Sequence, residues 1–301
     1  MVCYLKNTLL ASSVLGMSLL AAHDNHQKKE TYFSSTELAP GIFMLMGEGE
    51  FTGGNLGLSV GPDGVVLIDD SMPPFLDIMN VAIEKVAKKP VDFLINTHVH
   101  GDHTGNNLSF GKQGTHIVAH ENLRKHLLNK GIPKGKEMVS APKEMLPVIT
   151  FSQSMTFHLN GDDAQLIHVA NAHTDGDAII HFKQSNVIHT GDTFFNGMFP
   201  YMDLSSGGSV DGYIKAQETA LALSDDQTKI IPGHGALATK SDLAASLKML
   251  KETRAIIAKL KAEGKTEQEV LLLNPLRAYH DKWNWRFITT ERMTKQLYQG
   301  L

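Results

Sequence analysis

The chain carries a single cysteine, Cys3, in 301 residues. That excludes a disulfide framework and any cysteine-ligated zinc site, so a metal here must be held by His, Asp or Glu. Positive charge is also scarce. Lys and Arg number 28 against 32 Asp and Glu, for a formal net charge of −4, which gives nucleic acid no basic footprint to bind. No internal tandem repeat or low-complexity tract stands out. The one long apolar run, "TLLASSVLGMSLLAA", falls short of the ~20 residues that span a bilayer and argues against stable membrane insertion.

That run reads as the core of a secretory signal over residues 1–22, with Lys6 before it and cleavage after Ala21 or Ala22. The expected address is secreted or periplasmic. Cys3 precedes the run, so it is not a lipid-attachment cysteine. Cleavage would leave a mature chain without cysteine, which suits an oxidising compartment.

With 42% apolar and 20% charged residues, the remainder can bury a sizeable core. "GIFMLMGEG", "NLGLSV" and "VVLIDD" read as strands, with a glycine-rich tip "EGEFTGG" after the first. "PFLDIMNVAIEKVAKK" has helical spacing, and "PVDFLINTH" returns to strand. "THIVAH" is a strand, "ENLRKHLLNKG" a helix, and "IPKGKEMVSAPKEMLP" a loop. Two hairpins follow, around "NGDD" and "KQSN". "DGYIKAQETALALS" is a helix, "TKIIPGHG" a strand, and "SDLAASLKMLKETRAIIAKLKAEG" a long amphipathic helix. Two β-then-α halves predict two sheets sandwiched between helices. The Trp283/Trp285 tail is expected to pack on the surface of the core.

Chemistry concentrates in "INTHVHGDHTGNN". His98, His100, Asp102 and His103 lie within six residues, at a predicted strand end where Gly101 and Gly105 would let the backbone turn. A histidine-rich surface turn is the dull alternative. Imidazole and carboxylate at this density are ordinary ligands for zinc and similar divalent ions. Complementary ligands recur downstream at strand ends: His173 in "VANAHTDGD", Asp192 in "IHTGD" and His234 in "PGHG". Each alone is a weak signal, but in this order they are a strong one.

H-x-H-x-D-H at 98–103, with His173, Asp192 and His234, resembles the metallo-β-lactamase-fold hydrolases, and the likeness runs from about Pro40 to Leu260. The resemblance implies a four-layer αββα sandwich; the expected single domain takes in residues 31–301, with a helical tail from about residue 265. It implies that His98, His100 and His173 hold one metal, that Asp102, His103 and His234 hold a second, and that Asp192 bridges them. The metals would be two zinc ions, with iron or manganese open because the harder Asp192 loosens zinc selectivity. The implied reaction is hydrolysis of a small-molecule ester, thioester, lactone or amide by a metal-bound hydroxide. Asp102 is the candidate catalytic carboxylate, orienting that hydroxide or taking up a proton. Asp69 or Asp70 would accept from a ligand histidine, or else cap a turn.

The likeness to true β-lactamases is incomplete. Asp192 occupies the position where the larger zinc β-lactamase subclass has cysteine, and Phe195 the position of its carboxylate-binding lysine. A β-lactamase is therefore the alternative rather than the first reading. An iron persulfide dioxygenase is the alternative of another class. No basic cluster suits glutathione. "FFNGMFPYMDLSSGGSVDGY" would line an apolar pocket with Phe51 as a flap, or simply pack its own aromatics. His116, His120, His168, His181 and His189 read as sheet or core residues. His23, His26, His126, His158 and His280 read as solvent-facing. Asp175 and Asp177 read as turn residues, with Thr174 and Asp175 close enough to touch the site.

Overall fold

The four residues of "VVLI" are all buried, as expected of a strand covered on both faces. A computed structural model, which describes Met1 and residues 30–301, shows what covers them. Val66 and Ile68 face a second sheet, and Val65 and Leu67 face helices, following the two-residue alternation of a strand. The segment read as a secretory signal, and His23 and His26 just after it, fall outside the described residues, as does Cys3.

The first sheet contains β1 (Tyr32–Ala39), β2 (Ile42–Glu48), β3 (Leu56–Gly61), β4 (Gly64–Ile68), β5 (Phe93–Ile95) and β6 (His116–His120). After a small hairpin of β7 (Ile132–Lys134) and β8 (Glu137–Val139), β9 (Ile149–Phe151) completes it beside β6. Pairing is antiparallel from β1 to β4 and parallel from β4 to β9. The second sheet runs in sequence order through β10 (Ser154–Leu159), β11 (Asp162–His168), β12 (Ala178–Phe182), β13 (Val187–His189), β14 (Lys229–Ile231) and β15 (Ala238–Thr239). β13 and β14 are parallel.

Helix α1 (Leu76–Val86) buries Met79, Ala82 and Ile83 against the outer face of the first sheet. The short α2 (Gly101–Thr104), α3 (Asn107–Lys112) and α4 (Glu121–Lys130) follow in the chain. Helices α5 (Val210–Leu223) and α6 (Lys240–Ala262) cover the second sheet through Ala216, Ala220 and Leu243. The layers are therefore helix, sheet, sheet, helix, as the sequence predicts. Thr239 and Asp242 close a reciprocal capping box at the start of α6, which fixes its first turn.

Three local features differ from the sequence reading. β1 escapes it because only Phe33 and Leu38 of "YFSSTELA" are buried, so an edge strand shows little hydrophobic pattern. The segment 132–147 is not all loop, because Ile132 pairs with Val139 and Lys134 with Glu137 across a turn where Gly135 has φ 65°. The tail also builds a core of its own. After α7 (Glu267–Leu273), α8 (His280–Trp283) and α9 (Thr290–Gly300), Trp283, Ile288, Met293 and Leu297 are buried with Phe199 and Tyr213. Trp283 is thus interior, not a surface residue.

Candidate metal centre

Both sheets send their parallel strands toward one edge. Past the end of β4 lie Asp69 and Asp70, past β5 lies His98, past β13 Asp192 and past β14 His234, while His173 sits in the loop entering β12. Four ligand atoms, from His98, His100, His173 and Asp192, lie within 4.8 Å of one another, and Asp102, His103 and His234 form a second such group. Asp192 lies between them. Its Oδ2 is 3.7 Å from His98 Nε2 and 3.5 Å from His173 Nε2. Its Oδ1 is 3.0 Å from His103 Nε2 and 3.4 Å from His234 Nε2.

His98 Nε2, His103 Nε2 and Asp192 Oδ1 are buried, yet none has a hydrogen-bond partner among the described residues. Buried polar atoms are normally satisfied. Three orphans converging on one spot, all of them imidazole nitrogen or carboxylate oxygen, are the donor set of a divalent cation.

The other nitrogens of these imidazoles are held from behind. His103 Nδ1 donates to Asp69 Oδ2 at 2.7 Å. Asp69 also accepts from Thr97 N and Thr97 Oγ1, each at 2.7 Å. With its own proton given to Asp69, Thr97 Oγ1 accepts from His98 Nδ1 at 3.0 Å. His173 Nδ1 donates to the Tyr201 carbonyl at 2.8 Å, and His100 Nε2 donates to Asp203 Oδ2 at 3.0 Å. Such partners fix which nitrogen is free to bind a metal. Asp69, not Asp70, is the carboxylate behind a ligand histidine. Asp70 instead accepts from Asn106 N at 3.0 Å.

Two glycines let backbone press against this centre. A Cβ on Gly54 would fall 2.1 Å from His103 Cε1, and one on Gly233 would fall 2.1 Å from Asp192 Oδ1. Gly101 has no such role, because a Cβ there meets nothing within 4 Å. Gly105 is needed for close packing against Ser71 and Pro73, and Asp102 and His103 are aimed by the turn of α2 rather than by glycine freedom.

The sequence model of the metallo-beta-lactamase superfamily matches residues 49–234. The chain belongs to this superfamily. Among curated proteins it is 24% identical over 169 residues to the 2,4-dinitroanisole O-demethylase subunit alpha of Nocardioides sp. (strain JS1661). That match takes in 56% of this chain and about half, 48%, of the relative's length. Among solved structures, a metallo-beta-lactamase from Pontibacter korlensis aligns with TM-score 0.60 at 17% identity, over 73% of this chain and 99% of that one. A stereoselective inverting sec-alkylsulfatase from Pseudomonas sp. aligns with TM-score 0.65 at 16% identity, over 89% and 50%. At such identities the structural likeness is one of fold. Superfamily members are typically hydrolases that bind divalent metals, and both ligand clusters of this member lie within or at the ends of the matched segment.

The superfamily centre is electrostatically split. Burial holds His98 well below the usual imidazole range and His173 down at about 4. Burial also acts downward on His103 and His234, but the carboxylates around them, Asp192 and Asp102 at both and Asp69 at His103, together outweigh it, lifting His103 well above the ordinary value and His234 to about 9. Without metal at pH 7, His98 and His173 are therefore neutral and ready to ligate, whereas His103 and His234 hold protons that a cation must displace. Apparent affinity of the Asp102, His103 and His234 group is expected to rise with pH up to about 9, by about tenfold per pH unit for each proton released. His98 and His173, already neutral, should add no such slope above about pH 5. Metal titrations between pH 6 and 9, in buffers of differing ionisation enthalpy, read both the slope and the protons released.

A cavity of about 970 Å³ opens onto Asp192, Asp102, His100 and His234. Phe51 forms part of its rim, 57% exposed, with its ring stacked 5.6 Å from that of His234. Phe195, Tyr201, Trp285 and Phe287 supply further wall. The tail therefore contributes to the superfamily pocket, contrary to the reading of Trp285 as surface packing. Trp285 Nε1 donates to the Phe199 carbonyl at 2.8 Å, and Phe199 N donates to that of Trp283 at 2.8 Å, tying the tail to the loop after Asp192.

Sequence reasoning passes over Asp203, whose only signal is a carboxylate in a loop eleven residues after Asp192. Asp203→Ala is expected to weaken metal binding at the His98, His100 and His173 group about 10–100-fold. Asp203→Asn, which can still accept from His100, should lose less. Competition with a chelating dye measures both. Asp175 does not reach the site, pairing instead with His126 at 2.7 Å, so His126 is not free in solvent. Asp177 is more than a turn residue, because its buried carboxyl accepts from Thr174 N and Oγ1 at 2.7 Å and so braces the segment that carries His173. His120 and His168 stack with ring centroids 3.7 Å apart and are satisfied by the Ser152 and Asp177 carbonyls.

Proposed function

We propose that this chain is a secreted, dinuclear metal-dependent hydrolase acting on an ester, thioester, lactone or amide-type bond of a small, largely apolar substrate. Zinc is the favoured metal, with iron or manganese as alternatives. The observation that carries the reading is the division of Asp192, one oxygen facing the His98 and His173 nitrogens and the other facing those of His103 and His234. On this reading, His98, His100, His173 and Asp192 hold one cation, and Asp102, His103, His234 and Asp192 hold the other. Two such cations lower the pKa of water toward neutrality and polarise a carbonyl oxygen.

The remaining work falls to the chain. Asp102 opposes burial through His103 and His234 and is held at about 2, so it stays ionised at neutral pH. Its carboxylate lies on the cavity wall, where it accepts from a water and orients it toward the substrate. Phe51, Phe195 and Trp285 shield that water's target from bulk solvent, which strengthens every charge interaction inside.

A turnover panel tests the reading. It comprises an aryl ester, an aryl thioester, an N-acyl homoserine lactone, nitrocefin and, because of the curated relative's name, 2,4-dinitroanisole. Metal-dependent turnover of an ester, thioester or lactone is expected, with nitrocefin slow. Rapid nitrocefin turnover would restore the β-lactamase alternative. A single iron with oxygen uptake on persulfides would replace the hydrolase altogether. For the secreted address, protein recovered from the periplasm should begin just after Ala21 or Ala22.

A further inference from the structure

Away from the candidate metal ligands the cavity wall is largely apolar and aromatic, and among the described residues its one charged side chain there is Arg286, in the tail. Two arginines lie in this region and only one is committed. Arg292 donates to the Phe287 carbonyl at 3.1 Å and stands over the rings of Tyr201 and Phe287, 5.1 and 4.1 Å from their centroids. Arg286 is exposed, and among the described residues no carboxylate lies within ion-pair distance of it. In sequence it lies between Trp285 and Phe287, whose rings meet edge to face with centroids 5.7 Å apart, and Trp285 in turn meets Phe195 at 6.0 Å. The segment is anchored through the buried Trp283 and Ile288 on either side, so its position does not depend on a ligand.

We propose that Arg286, with the aromatic wall of Phe195, Trp285 and Phe287, forms a subsite for an amphipathic monoanion. The substrate it fits has a flat or branched apolar body and a carboxylate remote from the bond to be cleaved. This rests on the hydrolase reading for what happens at the other end of the cavity. The physical logic is a division of labour. The rings remove apolar surface from water, and the guanidinium offers a planar pair of donors to a carboxylate. Phe195 contributes no charge to the wall near Asp192, so away from the metal centre the side-chain charge that selects an anion comes from the tail.

The test is equilibrium binding, which needs no turnover. Metal-loaded protein is titrated calorimetrically with 2-naphthylacetate and with its neutral amide, for wild type, Arg286→Gln and Arg286→Lys. An exposed charged hydrogen bond sits at the low end of the usual range, so wild type is expected to prefer the carboxylate about tenfold. Arg286→Gln should abolish that preference while leaving amide binding unchanged, and Arg286→Lys should keep part of it. Absence of any preference in wild type overturns the proposal. So does a preference that survives in Arg286→Gln, because the metals would then hold the anion. A chain that shows the arginine-dependent preference but hydrolyses nothing contradicts the hydrolase reading and leaves this subsite standing.

Discussion

Asp192→Ala is expected to reduce bound metal from two ions per chain to one or fewer and to lower kcat/KM about 10³-fold or more. The estimate follows from losing a stabilisation of several kcal/mol, at about 1.4 kcal/mol per factor of ten. The reason lies in the placement of one carboxylate. Its two oxygens face separate groups of histidine nitrogens at 3.0–3.7 Å, and no other carboxylate among the described residues is within ion-pair distance of both groups. Removing it leaves two cations to repel one another and takes from His103 and His234 the largest of the charges that offset their burial. Asp192→Asn keeps the shape and should still lose the second metal, because the missing charge cannot be restored by an amide. Metal analysis by mass spectrometry together with ester kinetics measures both effects. Two metals and full activity in Asp192→Ala would refute the bridging role.

Asp69→Ala should produce the largest loss of stability of any change near the site. The carboxylate is fully buried and accepts from Thr97 N, Thr97 Oγ1 and His103 Nδ1. Its removal strands three donors where water does not reach. Breaking a buried charged network from one side costs roughly 3–5 kcal/mol, and loss of a partner behind a ligand imidazole costs about 10–100-fold in metal affinity. The two effects separate experimentally. Chemical denaturation of metal-free protein reads the first, and metal titration of the folded variant reads the second. An unchanged denaturation midpoint would mean that Asp69 is a passive turn residue, whose φ of 59° reflects the turn alone.

The histidines and carboxylates that converge at this edge were legible because chemistry restricts residue type and the fold restricts place. Only histidine and acidic side chains can build such a site in a chain whose single cysteine, Cys3, stands alone near the start of the sequence, and β4, β5, β13 and β14 deliver them at one edge. The choice between Asp69 and Asp70 was not legible, because adjacent carboxylates look alike until the turn points one at His103 and the other at Asn106. Tyr201 acts on His173 through its carbonyl, which every residue type possesses, so no sequence signal exists for it. Asp203 resembles any loop aspartate. Trp285, Arg286 and Phe287 lie some fifty residues beyond the last ligand, His234. Their place in the cavity depends on a hydrophobic cluster joining Trp283, Ile288 and Met293 to Phe199. Sequence periodicity shows that such residues are buried, but not which neighbours they find. The edge strand β1 was hidden for the opposite reason, since pairing on one side alone leaves most of its residues polar.

The central claim is that this edge of the sandwich holds two metals joined by Asp192. Crystals of the purified, metal-replete protein, measured on either side of the metal absorption edge, test it most directly. The expected result is two anomalous peaks, one beside His98, His100 and His173 and one beside Asp102, His103 and His234, with an Asp192 oxygen on each. A single peak, or two peaks with Asp192 bound to neither or to only one, would contradict it.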